Sequence, residues 1–262
     1  MLFRSINCQR SIPHVVAWDD AYRDAGLAVV GIHSPEYAFE KEPRNVAAGI
    51  SAFGIDYPVG LDNSLSTWTN YRNRYWPAHY LIDAEGVVRH ISFGEGNYAA
   101  TEALIRELLQ DADPAVALPP ATEQADDTPE AGSTTAETFL GTTKRQNFGG
   151  AEPYRRATTE FAFPGDLPAD SFALDGAWAL DTQSISPSAD DARVRLDYTA
   201  SEVRMVLGGE GTIVVDDGEE RREVAISGVP RSYELVKTDA AASGIITVTV
   251  SPGVDAYSFT FG

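Results

Sequence analysis

The sequence predicts two domains, an α/β sandwich followed by an all-β sandwich of jelly-roll type. Three observations predict this. Helical and strand-like apolar patterns alternate up to residue 110, the order expected of an α/β layer structure. Residues 111–137, DADPAVALPPATEQADDTPEAGSTTAE, then carry seven acidic residues, four prolines and no basic residue. Residues 138–262 contain only short β-rich runs separated by turn residues, the pattern of a sandwich. A length of 262 residues also exceeds the usual single-domain size and allows each half its own core.

In the first domain, residues 7–25 place Ile12, Val15, Val16, Trp18, Ala21 and Tyr22 on one broad face, which suits an amphipathic helix. Gly26 ends it, in the position favoured just past a helix C-terminus. LAVVGIH, residues 27–33, is an unbroken apolar run of strand length, as expected of a parallel strand covered on both faces. Residues 44–53 and 65–75 read as helices, and HYLID at 79–83 as a second buried strand. Ala84-Glu85-Gly86 turns the chain into VVRHISF at 87–93, so these two strands form a hairpin. Residues 101–110 close the domain as a helix. The acidic segment 111–137 cannot bury enough apolar surface to offset its ordering entropy and is expected to be a disordered, self-repelling linker.

The second domain reads as seven or eight strands, including ARVRLDY, SEVRMVLG, GTIVVDD, REVAI, RSYELVK, IITVTV and AYSFTFG. Asp217-Gly218 is a strong hairpin signal between two of them. DDGEE at residues 216–220 reads as that turn with solvated charges, in preference to a calcium loop.

Charge narrows the function classes. Thirty-nine acidic residues against twenty basic ones give a formal net charge of −19. Such a surface repels phosphate backbones and anionic lipid, which excludes nucleic acid as an expected partner. A lysine count of three, Lys41, Lys144 and Lys237, fits either a high-salt environment or an arginine-rich codon bias. No run approaches the roughly 20 apolar residues of a membrane-spanning helix, and no secretion signal is visible. Cys8 is the single cysteine, so neither an internal disulfide nor a cysteine-built metal site is expected. His14, His79 and His90 lack ligand spacing, and no metal or cofactor is implied.

Cys8 followed by Pro13, a buried strand, and Trp76-Pro77-Ala78 leading into HYLIDAEG resemble the thioredoxin fold of the TlpA and redoxin type. The stretches GIHSPEYAFEKEPRNV, FGIDYPVGLDN, RYWPAHYLID and FGEGNYAATEALI further resemble the thioredoxin-like part of DipZ-type proteins. From ETFLG to SPGVDAYSFTFG the chain is similar to the carbohydrate-binding-module-like domain of the same proteins. The resemblance implies domains at 1–110 and 138–262. It also implies a thiol-disulfide oxidoreductase acting on protein thiols and disulfides outside the cytoplasm, with a membrane electron donor of the CcdA type and a glycan as further partners.

By that resemblance SINC is an altered Cys-x-x-Cys, with Ser5 in the attacking position and Cys8 in the resolving one. A thiolate begins the reaction, and a serine hydroxyl is not ionised near neutral pH, so the activity is expected to be impaired. Pro77 is expected to be cis and to present backbone to a substrate, beside Trp76, which either lines the site or belongs to the core. His33 and Glu36 lie just past the C-terminal end of a strand, the edge where α/β proteins place their sites. Each is read as a proton shuttle or as an ordinary loop residue. Only Met1 to Arg4 precede Ser5, so strands 27–33 and 79–83 are expected to flank a position without its central strand, as in a truncated or fragmentary chain. In the β domain, Trp178, Tyr198, Tyr233 and Tyr257 are candidates for stacking on sugar rings or for the core. The alternative function is a non-catalytic binding protein that docks a glycan or a protein surface.

Overall fold

The computed structural model describes residues 5–122, 125–129 and 134–262. The chain divides into two compact units, Met1–Thr128 and Pro129–Gly262.

The first unit begins with α1 (Ile6–Tyr22), which runs through Pro13. A 3₁₀ turn at Arg23–Ala25 and Gly26, in the left-handed region at φ 107°, then reverse the chain. β1 (Gly31–His33) and β2 (Val59–Leu61) pair in parallel, with Gly31 opposite Val59 and His33 opposite Leu61. Between them lies α2 (Pro43–Ala52), with proline at its start, where the missing N–H has no helical partner to lose. β2 was not read from the sequence, because YPVGLD is short and interrupted by proline and glycine.

α3 spans only Ser66–Asn70, shorter than the predicted helix at 65–75. Arg72 adopts φ 54°, and a left-handed residue ends the helical ladder. β3 (Ala78–Ile82) and β4 (Val88–Phe93) form the expected hairpin. α4 (Tyr98–Ala112) starts a turn earlier than predicted. Among the described residues β1–β2 and β3–β4 are two separate two-stranded sheets, and no four-stranded sheet forms. Val30, Ile32, Ile82, Ile91 and Phe93 on or beside these strands are solvent-exposed.

Trp18 and Tyr22 of α1 pack with Tyr98, Ile105 and Leu109 of α4, and Leu81 of β3 joins them. Ile12 of α1 packs on the other side with Ile55 and Tyr57. The first half of the acidic segment differs from the expected disordered linker. Asp111 and Ala112 belong to α4, and residues 113–122 form a strap over the α1–α4 layer. Leu118 packs against the Trp18–Tyr22 cluster, and Arg106 donates to the Pro119 carbonyl at 2.6 Å. Thr122 donates through its backbone N–H and its hydroxyl to the Glu102 carboxylate, at 2.6 and 2.7 Å. Glu102 is buried and also accepts from the Tyr22 hydroxyl at 2.5 Å. A buried carboxylate is costly without donors, so the strap is retained by a specific polar anchor that a composition argument overlooks.

The second unit is antiparallel: β5 (Thr138–Phe139), β6 (Ala157–Phe161), β7 (Phe172–Leu180), β8 (Ile185–Pro187), β9 (Arg193–Gly209), β10 (Gly211–Asp216), β11 (Arg221–Ile226), β12 (Arg231–Val250) and β13 (Val254–Phe261). The order is β11-β10-β12-β9-β13-β8-β7-β6, with β5 on β13. The first part of β9 pairs with β7 and its last part with β13, while both parts pair with β12, an arrangement consistent with a β-sandwich. Runs read as separate strands merge here. ARVRLDY and SEVRMVLG are both in β9, and RSYELVK and IITVTV are both in β12. Both apparent breaks fall at the register shift between Lys237 and Ala242, which pair with Glu202 and Ala200, an irregularity that turns the strands without ending them. The core holds Phe172, Trp178, Leu196, Met205, Leu207 and Phe259, all fully buried.

Candidate active site

Ser5 occupies the N-cap of α1 with extended backbone, and its hydroxyl makes no capping hydrogen bond. Its carbonyl accepts the first helical bond, from the Gln9 N–H at 3.0 Å. Cys8 follows one turn inside, 6% exposed, against 9% for Ser5. The first free N–H groups of a helix carry partial positive charge, so this position would favour an anion on the side chain that holds it. With serine there, no ionisable atom meets that field.

The Trp76–Pro77 bond is cis, as predicted. Two tethers fix the start of α1 over this end of the β3–β4 hairpin. Ser11, on the same helical face as Cys8, lies 3.1 Å from His79 Nε2, two residues beyond Pro77. Arg10 grips Glu95 with two bonds of 2.7 Å, and the adjacent Gly94 N–H donates to the Pro77 carbonyl at 2.9 Å. The bidentate geometry gives the Arg10 tether direction as well as attraction.

Trp76 joins the proline loop to the end of β1. Its indole Nε1 donates to the Ser34 carbonyl at 3.1 Å, and its ring lies 4.1 Å from that of Trp68 on α3. Trp76 is therefore part of the loop framework, half-buried beside Pro77. Beyond Ser34, the Glu40 carboxylate accepts from the N–H groups of Glu36 at 2.8 Å and Tyr37 at 3.0 Å. These bonds fold the loop that carries Glu36. His33 Nε2 donates to the Glu40 carbonyl at 2.9 Å.

Three histidines, His14, His33 and His79, are shifted toward the neutral form. Burial lowers His33 to about 4. His79 also falls to about 4, first through burial and then through repulsion from His14. Burial lowers His14 as well, against the pull of Asp126; it stacks on Tyr98 at 3.6 Å. A neutral His33 already donating to a carbonyl is placed as a fixed strut. No cluster of three or more metal-ligating side chains occurs among the described residues.

The site also contains residues the sequence reading missed. Arg10, Ser11, Ser34, Glu40, Asp62, Trp68 and Glu95 hold it together, and only Glu40 carries a local signal, three residues after Tyr37 in a capping box. In the β unit the structure decides for the core at three of the four aromatics. Trp178, Tyr198 and Tyr233 belong to the buried core, because strand alternation turns them inward, so their faces are not offered to a sugar. Tyr257 is half-buried. The 216–220 segment is a hairpin turn, with Gly218 at φ 90° and Asp217 accepting from the N–H groups of Glu219 and Glu220.

The chain is similar to several known proteins. Residues 135–262 match the family described as the thioredoxin like C-terminal domain. Over 262 residues, 99% of the chain, the sequence is 51% identical to protein DipZ of Mycobacterium tuberculosis, and it spans 38% of that relative's length. It is 26% identical over 102 residues to the thiol-disulfide oxidoreductase YkuV of Bacillus subtilis, covering 39% of this chain and 68% of that one. A solution structure of a thioredoxin-like protein in the oxidized form aligns with a TM-score of 0.38 at 27% identity, over 42% of this chain and 75% of that one. The cis Trp76–Pro77 bond and the 51% identity over 99% of the chain mark this as a sequence similar to DipZ, with a thioredoxin-like first unit.

Proposed function

We propose that the first unit is a thiol-disulfide oxidoreductase domain for exported proteins, impaired because Ser5 stands where the attacking thiol belongs. The observation that carries this is Ser5 at the N-cap of α1, one turn before buried Cys8, with the cis Trp76–Pro77 bond tethered to the same helix. In the complete reaction, a thiolate at the cap attacks a substrate disulfide and forms a mixed disulfide, releasing one substrate thiolate. The thiolate of Cys8 then attacks the capping sulfur and releases the second. The substrate gains two electrons and the protein pair loses them, and an external dithiol, supplied by a membrane donor of the CcdA type, returns them. Ser5 removes the first step, and one cysteine cannot store the electron pair within the chain.

Pro77 presents backbone to the substrate, Trp76 supports it, and Glu36 serves as the proton carrier at the loop edge. The setting is extracytoplasmic, by likeness to DipZ; no helix among the described residues is long and apolar enough to cross a membrane. The β unit, read as a jelly roll, serves as a docking module. Burial of three of its four candidate aromatics favours a protein surface over a glycan.

Reduction of an insulin-type disulfide by dithiothreitol, compared among the wild-type chain, Ser5→Cys and Cys8→Ala, tests the reading. Turnover should appear in Ser5→Cys at about a hundredfold over wild type or more, a gain of about 2.7 kcal/mol in transition-state stabilisation. Wild-type turnover that is lost in Cys8→Ala, or no turnover in Ser5→Cys, would overturn it.

A further inference from the structure

Behind the cis-proline loop lies a buried carboxylate with no part in the chemistry above. Asp62 accepts from the Thr67 N–H at 3.0 Å and the Trp68 N–H at 2.8 Å. It also accepts from the hydroxyls of Ser34 and Ser66, both at 3.2 Å, and its own N–H donates to the His33 carbonyl at 2.9 Å. It thus binds the end of β1, the end of β2 and the start of α3 to a single side chain. Burial alone would raise this carboxyl, but the bonds from Trp68, Thr67, Ser34 and Ser66 outweigh it and hold it below its ordinary value. Asp62 is therefore a fixed anion.

The bracket holds a segment that would not hold itself. A five-residue helix such as α3 is too short to persist alone. Leu65, just before it, is left-handed at φ 57°, a conformation costing about 1–2 kcal/mol for a residue with a Cβ. What α3 presents is Trp68, whose ring meets Trp76 at 4.1 Å. Trp76 is bonded in turn to the Ser34 carbonyl, and Ser34 bonds Asp62. The loop is closed on itself, with Asp62 at the back and the cis bond at the front.

We infer that Asp62 is the positioning residue of the Trp76–Pro77 ridge, setting the height and tilt at which the ridge meets a substrate chain. This rests on the oxidoreductase reading for what the ridge does. Asp62 touches no reacting atom. It acts through Trp68 and Ser34 on Trp76.

The test uses the full chain carrying Ser5→Cys, with and without Asp62→Asn. The amide keeps the shape of Asp62 but turns one of its oxygens into a donor that faces donors. KM for the disulfide substrate should rise about fivefold or more, with kcat changed less than about twofold. Alkylation of the introduced thiol at pH 7 should keep its rate, since α1 is not part of the bracket. The exciton couplet of the Trp68–Trp76 pair in circular dichroism should weaken. Trp68→Leu, which breaks the relay and leaves the carboxylate in place, should raise KM in the same way and serves if Asp62→Asn does not fold. Unchanged KM in both variants, or a fall in alkylation rate that parallels the loss of turnover, would overturn the assignment. If Ser5→Cys itself is inactive, the oxidoreductase reading fails, and an undiminished couplet in Asp62→Asn would separately overturn the positioning role.

Discussion

Replacement of His33 by Gln should remove much of the acid sensitivity of the first unit. In the folded chain His33 is 1% exposed, and its pKa is lowered from 6.5 to about 4 by burial. Below pH 6.5 the unfolded chain binds a proton that the folded chain refuses, so stability falls as pH falls, down to about pH 4 where both states are protonated. With those two values, the loss between pH 7.5 and pH 5 is about 2 kcal/mol from this residue, approaching about 3 kcal/mol near pH 4. Gln keeps a donor for the Glu40 carbonyl and does not titrate. Urea unfolding read by amide exchange within α2, at pH 7.5 and pH 5, separates this unit from the β unit. The variant should lose about 2 kcal/mol less than wild type over that interval. His79, lowered to about 4 by burial and by His14, acts in the same direction and leaves a residual slope. Equal losses in the variant and wild type would refute the reasoning, because they would mean that the His33 ring protonates equally readily in both states.

Two further outcomes follow from burial. Thr122→Val removes a hydroxyl donor from buried Glu102 and should weaken the strap by about 1–3 kcal/mol; faster proteolytic cleavage within residues 113–122, with α1 still protected, would show it. Trp178→Ala empties a fully buried site in the β unit and should cost that unit about 3–5 kcal/mol, which calorimetry would read as one transition moving down in temperature while the other stays.

The parts of this molecule that were legible in the sequence are those in which local pattern and tertiary role coincide. The face formed by Ile12, Val15, Trp18 and Tyr22 gives α1, and Gly26 marks its end. AEG gives the β3–β4 turn, and Asp217-Gly218 the β10–β11 turn. The acidic segment was misread in its first half because composition counts charges without partners, whereas Glu102, Arg106 and Thr122 supply specific ones. β9 and β12 were divided because bulges interrupt the alternation on which strand ends are judged. At the site, SINC and Trp76-Pro77 were legible through their resemblance to thioredoxin-like motifs. Asp62, Glu40 and the Arg10–Glu95 pair could not. Arg10 and Glu95 stand 85 positions apart, and nothing local to either one announces the other.

The surroundings of Ser5 also determine what a thiol placed there would experience. The rings of His33 and His79 are neutral at pH 7, and the charge of Arg10 is committed to Glu95. Neither source therefore supplies the cation that commonly depresses a reactive cysteine. Among the described residues, what remains is the dipole at the N-terminus of α1. A helix terminus contributes about 0.3–1 kcal/mol to an exposed anion, which corresponds to about a two- to fivefold larger thiolate fraction at neutral pH. The Ser5→Cys thiol should accordingly be alkylated by iodoacetamide at pH 7 about two- to fivefold faster than an unstructured cysteine peptide. A rate below that of the peptide would show that burial, at the 9% exposure of this position, outweighs the helix. A rate a hundredfold above it would show that a cation reaches the site.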